Sequence, residues 1–371
     1  MRRIAAAAAI LSVASGCASW SRDRYAHCPT VSEMPAIALF ADGQQSMTLS
    51  VLIYNIEGLP WPAHKNRGPS LDRIGQTLAD LRAQGSAPDI VLMQEAFTSR
   101  AARIGKLAGY ANAVGGPKRS EMVKDPAIDR QFAADRRRNK GERALKLMRS
   151  GLYVLSDYPV VDMIREGFAR RACAGFDCLA AKGMMLVRVE VPGVPAPIDI
   201  FTTHMNSGRA ARVPLERSAE AHRYQALEAA HFLEQHHISG SPLIIGGDFN
   251  MRRNPARFDF FSTAIPYTLV HRWCIQKPAT CEVRMSWDGD APWLDTQDLQ
   301  AFDNGEAVAI EPIRVEAMFD GSANGPRLSD HDAFLVTYRL AWRANAVQTA
   351  ELQCPKPTGP AVPPSSDYGG K

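Results

Sequence analysis

The sequence predicts an α/β (α+β) fold, a four-layer sandwich in which two packed, mixed β-sheets are flanked by helices. Apolar runs typical of strands outnumber the helical stretches, and both hairpins and crossovers are expected between them. Two runs, 89–97 and 242–250, are apolar enough for strands buried on both faces. A length of 371 residues allows one large enzyme domain of this kind.

The elements alternate along the chain. Helical periodicity marks two segments, 71–85 and 214–237. The strand-like segments, in order, are 47–57, 89–97, 150–168 (two strands around a turn), 183–206 (a hairpin turning at 193–197), 242–250 and 333–342. By composition we expect a signal at 1–17, a tether at 18–46, a catalytic domain at 47–342 and a Pro-rich tail at 343–371.

The first residues have the pattern of an export signal. A basic start is followed by an Ala-rich apolar run at 4–13, too short to span a bilayer as a mature helix. Small residues then lead to Cys17, and this site resembles a bacterial lipobox, in which the cysteine is lipidated. Cleavage without lipid and an uncleaved anchor are the alternatives. We expect an exported monomer, either a lipoprotein of the outer membrane or periplasm, held to the membrane surface by its lipid, or a secreted enzyme.

Seven cysteines suit an oxidising compartment. With Cys17 set aside, six remain, and their positions suggest three disulfides: Cys173 with Cys178, Cys274 with Cys281, and Cys28 with Cys354. Free thiols are the alternative. Zinc ligation is disfavoured because no C-x-x-C pair or matching histidine spacing occurs.

Polar side chains stand repeatedly at the ends of predicted strands. A lone Asp or Asn there is more often a turn former, but α/β folds also place ligands at strand ends. Five such places are rich in Asp, Glu, Asn and His: Asn55; Glu95; His204 with Asn206; Asp248 with Asn250; and Asp330 with His331. This repetition favours one shared site.

These residue types suit metal-assisted hydrolysis of a phosphate ester. Carboxylate and amide oxygens favour hard cations, and Mg²⁺ typically binds one or two carboxylates together with waters and phosphate. The metal can polarise a phosphoryl oxygen while a histidine, oriented by a carboxylate, deprotonates the attacking water. Mg²⁺ is therefore the predicted cofactor, with Mn²⁺ or another divalent cation as alternatives.

The motifs around these residues resemble the endonuclease/exonuclease/phosphatase superfamily from about residue 49 to residue 340. In chain order they are LIYNIEGL, DIVLMQEAF, SGLYVLSDYP, FTTHMNSG, IIGGDFN, WLDTQD and LSDHDAF. The resemblance implies that Glu95 is the main metal ligand, that Asn55 helps to hold the metal, and that Asp330 lies on the metal side. Asp248 and Asn250 would orient water or the leaving group and contact the phosphate.

The same resemblance implies roles for two histidines. His204 would stabilise the phosphoryl group, and His331 would be the catalytic histidine. Asp295, in WLDT, would orient His331. Asp298 is the alternative, because Thr296 stands where the family usually has an aromatic residue.

One segment resembles the bacterial sphingomyelinase C branch. In DCLAAKGMMLVRVE (177–190) a Lys-Gly pair precedes the strand that leads to Thr-His. The resemblance implies that Lys182 contacts substrate phosphate, with a solvated strand-end lysine as the alternative. Asn206 is a further candidate substrate contact, although the family often has another residue there.

Two other segments bear on the substrate. Residues 116–149 form a basic insertion that could contact phosphates of nucleic acid or of an anionic membrane, or could be a solvated helix face. Residues 273–293 carry Trp273, Trp287 and Trp293, which suit either a membrane boundary or loop packing. Trp61, close to Asn55, is expected at the mouth of the site.

The sequence therefore predicts a Mg-dependent phosphoric ester hydrolase whose substrate is a phospholipid or a nucleic acid. A sphingomyelinase-like phospholipid phosphodiesterase is favoured, and an exported DNase-like endonuclease and an inositol-phosphate-type phosphatase are the alternatives. The net charge of +4 does not by itself indicate a polyanionic partner. A binding module with an inactive site is disfavoured because every metal and base position is filled.

Overall fold

The predicted strands pair into two sheets in a computed structural model that describes residues 34–124, 128–142, 145–285, 298–322 and 325–344. The strands are β1 (Ala38–Leu39), β2 (Gln44–Asn55), β3 (Ile90–Gln94), β4 (Asn112–Gly115), β5 (Tyr153–Ser156), β6 (Val160–Gly167), β7 (Gly183–Val189), β8 (Ile198–His204), β9 (Leu243–Asp248), β10 (Thr268–Leu269), β11 (Glu282–Arg284), β12 (Asp298–Asp303), β13 (Ala309–Met318) and β14 (Ala333–Arg343). The helices are α1 (Gly68–Ala83), α2 (Ile104–Leu107), α3 (Arg130–Ala134), α4 (Leu215–His236), α5 (Pro255–Ala264) and α6 (Val270–Gln276).

Both sheets are mixed. The larger sheet has the order β11-β13-β14-β2-β3-β5-β4, with β1 paired to β2, and the smaller sheet has the order β10-β12-β9-β8-β7-β6. β2 runs parallel to β3, and β8 runs parallel to β9. Parallel neighbours need a crossover, and the two long helices α1 and α4 supply it. Each crossover returns the chain so that two strands end at the same edge of their sheet.

Successive side chains of β2 point to opposite faces of the sheet and both faces are buried, which explains why the strand carries apolar residues on both faces. Leu49, Val51 and Ile53 are buried in the core between the two sheets. Leu52 and Tyr54 point the other way and pack in the cluster that includes residues of α1. Full burial of such side chains stabilises the fold by roughly 1.5–3 kcal/mol each.

The smaller sheet is covered in the same way on its outer face. Phe201 of β8 and Ile245 of β9 pack in one cluster with Phe232 of α4 and Phe258 of α5. Helices, sheet, sheet and helices therefore form four layers. The four-layer sandwich predicted from the strand and helix pattern is confirmed.

The segment 150–168 forms two strands, as predicted, but they lie in different sheets. β5 pairs with β3 and β4 of the larger sheet, whereas β6 pairs with β7 of the smaller one. The turn at 157–159 thus carries the chain from one sheet to the other. Apolar alternation is the same in a hairpin and in a sheet switch, so the sequence pattern could not separate them.

Two of the predicted disulfides are present. Cys173–Cys178 and Cys274–Cys281 have Cα–Cα distances of 5.3 and 4.9 Å. Cys17, Cys28 and Cys354 lie outside the described residues. Among the helices of the described ranges, none has the length and apolar character needed to cross a membrane.

A glycine at the end of β9 allows the parallel strands to approach. A Cβ added at Gly247 would lie 2.2 Å from the backbone oxygen of Thr203 in β8, whereas one at Gly246 would meet the side-chain ends of Leu92 and Ile53 at 2.8 and 3.0 Å. Gly247→Ala should therefore lower the free energy of unfolding by about 2 kcal/mol or more, because backbone must move.

The measurement is urea denaturation followed by circular dichroism. Gly246→Ala is the matched control and should cost less, because side-chain ends can rotate away. Equal losses in the two variants would contradict the assignment of a backbone contact.

Candidate active site

Strand register brings the predicted polar residues to one edge of the sandwich. In the smaller sheet, His204 at the end of β8 pairs with Asp248 at the end of β9, and Asp298 at the start of β12 pairs with Asp248 from the other side. In the larger sheet, Asn55 ends β2 beside the end of β3, which Glu95 follows. The side chains meet there because parallel strands end at a common edge.

Asp248 links the two sheets at this edge. Its Oδ2 accepts a hydrogen bond from Asn55 Nδ2 at 3.0 Å and lies 3.3 Å from His204 Nε2. Its Oδ1 accepts a hydrogen bond from the backbone N–H of Asn250 at 3.0 Å. Burial raises the pKa of Asp248 to about 6, although the charge of His331 acts in the opposite direction. The carboxylate is thus held in one orientation.

His331 is paired with a carboxylate. Its Nδ1 lies 2.6 Å from Asp298 Oδ2. Burial disfavours the charged ring, but the carboxylates of Asp298, Asp248 and Asp330 outweigh it and raise the pKa of His331 to about 10. The Asp298 contact makes Nδ1 the donor, so Nε2 is the nitrogen that can exchange a proton with a reacting group.

The carboxylate that contacts His331 is thus Asp298, which the sequence offered as the alternative to Asp295. Asp295 itself lies outside the described residues. The position of Asp298 follows from its pairing with Asp248 across β12 and β9. Motif matching could not make this choice, because both aspartates lie in one short segment and only strand register distinguishes them.

Lys182 is a buried cation inside the site. Its Nζ lies 2.8 Å from Asp177 Oδ1, 2.8 Å from His204 Nε2 and 3.0 Å from the backbone oxygen of Met205. Three partners match the three N–H donors of an ammonium. The predicted contact of Lys182 with substrate phosphate stays a prediction. Burial and the charge of Lys182 hold the pKa of His204 well below its usual range, so the ring is neutral.

Asp177 is a site residue that sequence reasoning missed. Its Oδ2 accepts hydrogen bonds from the Ser207 backbone N–H at 2.6 Å and from the Ser207 hydroxyl at 2.5 Å, while Oδ1 pairs with Lys182. It lies within the loop closed by Cys173 and Cys178. The predicted Cys173–Cys178 disulfide indicated that this loop is constrained. Nothing in the sequence indicated that the loop reaches the site.

Glu95 carries a carboxylate without a protein partner. The residue adopts φ +58°, a left-handed conformation uncommon for a residue with a side chain. No hydrogen bond from the described residues reaches its carboxylate, and burial raises the pKa of Glu95 to about 7 even though the charge of Lys182 opposes the shift. The charges of Asp248 and His331 also act on it, so these groups share one electrostatic environment.

The donor set fits a hard divalent cation. Glu95 offers a carboxylate to which no described residue donates a hydrogen bond. Asn55 ends the neighbouring strand and offers an amide oxygen, which also accepts from the Glu57 N–H at 3.1 Å. Asp248, Asp298 and His331 form a second group, whose potential ligand atoms lie within 4.8 Å of one another. Oxygen donors of this kind suit Mg²⁺. We favour the first group, because Asp298 and His331 already bond each other.

Two arginines brace the loops that carry the site, and neither was anticipated from the sequence. Arg67 donates hydrogen bonds to the backbone oxygens of Ile56, Glu57 and Leu328 at 2.9, 2.7 and 2.6 Å. It thereby joins the loop after β2 to the loop before β14, which carries His331. A single arginine in a loop has no periodic signature.

Arg257 has the same function in the smaller sheet. It is buried and donates to the backbone oxygens of Asn206 and Asn250, both at 2.9 Å. Asn206 itself is fully buried: its amide oxygen accepts from the Ala174 N–H at 2.8 Å, and its amide nitrogen donates to the Ser207 backbone oxygen at 2.9 Å. These bonds let Asn206 brace this loop, and its predicted contact with substrate stays a prediction.

Two remaining residues lie where the sequence placed them. Asn250, two residues after Asp248, adopts φ +53°, and its amide nitrogen donates to the Met205 backbone oxygen at 3.1 Å. Asp330 is exposed beside His331 and accepts a hydrogen bond from the Ser329 hydroxyl at 3.4 Å. Their roles in hydrolysis stay predictions.

Comparisons with known proteins agree with this architecture. The sequence profile of the Endonuclease/Exonuclease/phosphatase family matches residues 52–300. No curated protein sequence gives a significant match. The match of the family profile confirms the family resemblance drawn from the motifs.

Several solved structures share the fold. A mutant of beta toxin from Staphylococcus aureus with bound magnesium ions is 16% identical with a TM-score of 0.54, covering 80% of this chain and 100% of that one. Sphingomyelinase C from Streptomyces griseocarneus is 19% identical with a TM-score of 0.52, covering 78% and 99%. D. rerio TDP2 complexed with single strand DNA product is 14% identical with a TM-score of 0.50, covering 78% and 98%.

A buried histidine behind the site makes stability depend on pH. His222 Nε2 donates to the backbone oxygen of Phe249, between Asp248 and Asn250, at 2.8 Å, and burial lowers the pKa of His222 to about 3. Below its ordinary pKa of about 6.5 the unfolded chain binds a proton that the folded chain does not, so the free energy of unfolding should fall as the pH drops. By pH about 5 this residue alone should account for about 2 kcal/mol.

The measurement is urea denaturation at neutral pH and at pH about 5. His222→Gln, which cannot titrate, should reduce the loss. His231→Gln, at an exposed position of the same helix, is the control and should leave the loss unchanged. An unchanged loss in His222→Gln would show that other groups cause the acid sensitivity.

Proposed function

Because the chain belongs to the endonuclease/exonuclease/phosphatase family, we propose that it is a metal-dependent phosphodiesterase whose substrate is a phospholipid of the sphingomyelin type. The observation that carries the proposal is the His331–Asp298 pair at the same strand edge as Glu95 and Asp248. A base oriented by a carboxylate, beside a second carboxylate that can bind a metal ion, is the arrangement needed to activate water against a phosphate ester.

The metal-binding residues and the catalytic base have different roles in the proposed reaction. When bound, Mg²⁺ would polarise a phosphoryl oxygen and offset the surrounding carboxylates, bringing the pKa of His331 down toward the range of a general base. Glu95, with Asn55, would hold the ion. His331 Nε2 then takes a proton from water, while Asp298 keeps Nδ1–H in place.

The other polar groups orient and stabilise. Asp248 and the Asn250 amide would position water or the leaving group. Lys182 holds a fixed positive charge against His204 and so favours the negative charge that develops on the phosphoryl group. Asp248 and Lys182 are each held by hydrogen bonds before substrate arrives, so neither has to reorganise during the reaction.

Two observations support a lipid substrate. Segment 177–190 resembles the sphingomyelinase C branch, and sphingomyelinase C is among the structures with the same fold. Trp61, in the loop that follows Asn55, is 75% exposed, and tryptophan favours membrane–water boundaries. Trp273 does not add to this, because it packs edge-on against Phe302 at 5.4 Å. Trp287 and Trp293 lie outside the described residues.

A nuclease is the second candidate, since TDP2, described with a single strand DNA product, shares the fold.

We also propose that the protein is exported, as two disulfides suit an oxidising compartment, and that Cys17 carries a lipid. The signal and lipidation site lie outside the described residues.

One assay series tests the proposed function. Purified protein is given sphingomyelin vesicles, plasmid DNA or an inositol phosphate, each with Mg²⁺ and with chelator. We expect phosphocholine release to be the fastest reaction and to stop with chelator. Glu95→Gln should lower turnover on the order of a thousandfold, because the metal loses its main ligand. Glu311→Gln, on the surface of β13, is the control.

Faster nicking of DNA would favour the nuclease instead. Full activity in chelator, or near-normal turnover of Glu95→Gln, would refute the role of the metal.

The Asp298 contact predicts a separate effect on the base. Asp298→Asn keeps the shape but removes the charge that raises the pKa of His331, so turnover should fall on the order of a hundredfold or more. The limb of the pH–rate profile that reports His331 should also move to lower pH. Asp303→Asn, at the exposed end of β12, is the matched control. If Asp298→Asn lowered turnover without moving the profile, the carboxylate would act on structure alone.

A further inference from the structure

A second feature lies outside the candidate active site. A cavity of about 1050 Å³ is formed between the segment around α3 and the loop at 170–171, and no active-site residue lines it. Besides Ser120, its polar lining residues are all cationic: Lys124, Arg130, Arg136, Arg138, Arg170 and Arg171. No acidic side chain of the described residues belongs to the lining.

The predicted basic insertion thus divides into parts with different environments. Arg136 and Arg138 face the cavity. Lys146 instead is buried, with its Nζ 3.2 Å from Cys173 Sγ. Arg143 lies outside the described residues. Neither a uniformly solvated face nor a continuous basic stripe describes the segment.

The cations of the cavity repel one another. Partial burial and the charges of Arg171, Arg138 and Arg217 lower the pKa of Arg136 from its ordinary value. The opposing carboxylate, Glu142, is already committed, since Arg217 Nη2 bonds its Oε2 at 2.6 Å and the Gly175 N–H bonds its Oε1 at 2.9 Å. An anion in the cavity would relieve this repulsion.

One wall of the cavity is held in place before any ligand arrives. Phe132 of α3 packs against Tyr224 of α4 with ring centroids 5.2 Å apart, and Arg217 lies over the Phe132 ring at 4.4 Å. The Asp129 N–H donates to the Tyr224 hydroxyl at 3.0 Å. The backbone of α3, which carries Arg130, is therefore held against α4 before any ligand binds.

We propose that this cavity binds a compact phosphate ester carrying more than one negative charge, either a lipid headgroup or a soluble phosphate. Guanidinium groups match phosphate oxygens in pairs. The volume is that of a small-ligand site. Met122, Val123 and Ile128 also line it and can contact the organic part of an ester. The site is open to solvent, so a single-stranded nucleic acid is the competing ligand that the test must separate from a compact phosphate ester.

The test measures binding rather than turnover, so its result does not depend on the proposed hydrolysis. Full-length protein is titrated with inorganic tripolyphosphate in chelator. It is separately sedimented with vesicles of phosphatidylcholine alone, or of phosphatidylcholine with a minor fraction of phosphatidic acid. We expect saturable, salt-sensitive binding that Arg138→Gln with Arg171→Gln weakens on the order of tenfold or more.

The matched control removes two charges elsewhere, with Arg73→Gln on α1 and Arg343→Gln on β14, both exposed. It should bind like the unaltered protein. Arginine-dependent binding of tripolyphosphate alone supports a soluble ligand, and arginine-dependent binding of phosphatidic acid vesicles supports a headgroup.

Two results would overturn the proposal. The first is failure of both phosphate probes to bind, and binding of a single-stranded oligonucleotide in that case would point to a nucleic acid instead. The second is equal weakening in the control. Thermal melts of both double variants show whether they are folded; the substituted residues are exposed, so unfolding is not expected.

Discussion

The contact between Asp248 and Asn55 is the constraint on which the site depends. Asp248 ends a strand of the smaller sheet and Asn55 ends a strand of the larger one, and a hydrogen bond of 3.0 Å joins them. The two halves of the site belong to different sheets, so their geometry is fixed only as well as the sheets are fixed to each other. Packing in the central core sets the spacing, and this hydrogen bond sets the alignment at the edge. Arg67 and Arg257 then hold the loops that leave each sheet.

Negative charge at this edge of the sandwich is only partly balanced by cationic side chains, and this favours binding of a metal ion. Glu95 has no partner among the described residues, and three aspartates surround His331. Lys182 is the buried counter-charge, yet its three donors are used by Asp177, His204 and Met205. Negative charge held in a fixed frame without compensation costs stability, and a divalent cation is the ligand that offsets it. The cationic cavity lined by Arg136 and its neighbours lies at a separate place, and there the proposed ligand is an anion.

Sequence reasoning was most reliable where chemistry and strand ends coincide. Asn55, Glu95, His204, Asp248 and His331 could be singled out because polar residues interrupt apolar runs there, and the structure gathers them at one edge. It said least about which protein groups a site residue contacts. Lys182 and Asn206 lie where the sequence placed them and their contacts with substrate stay predictions, but their contacts with Asp177 and Ala174 could not be predicted. Arg67 and Arg257 gave no signal at all, because a brace between loops has no local pattern.

The sequence by itself determined the layered fold, the family and the residue types at the site, since alternation, apolar runs and short motifs are local properties of the chain. Only the tertiary structure decided that β5 and β6 belong to different sheets and that Asp298 pairs with His331. The same holds for the cations near α3, which come together with those at 170–171 around one cavity. Each of these depends on which distant segments meet. That is set by register and by packing of the two sheets, which act over the whole molecule and leave no mark in any single stretch of sequence.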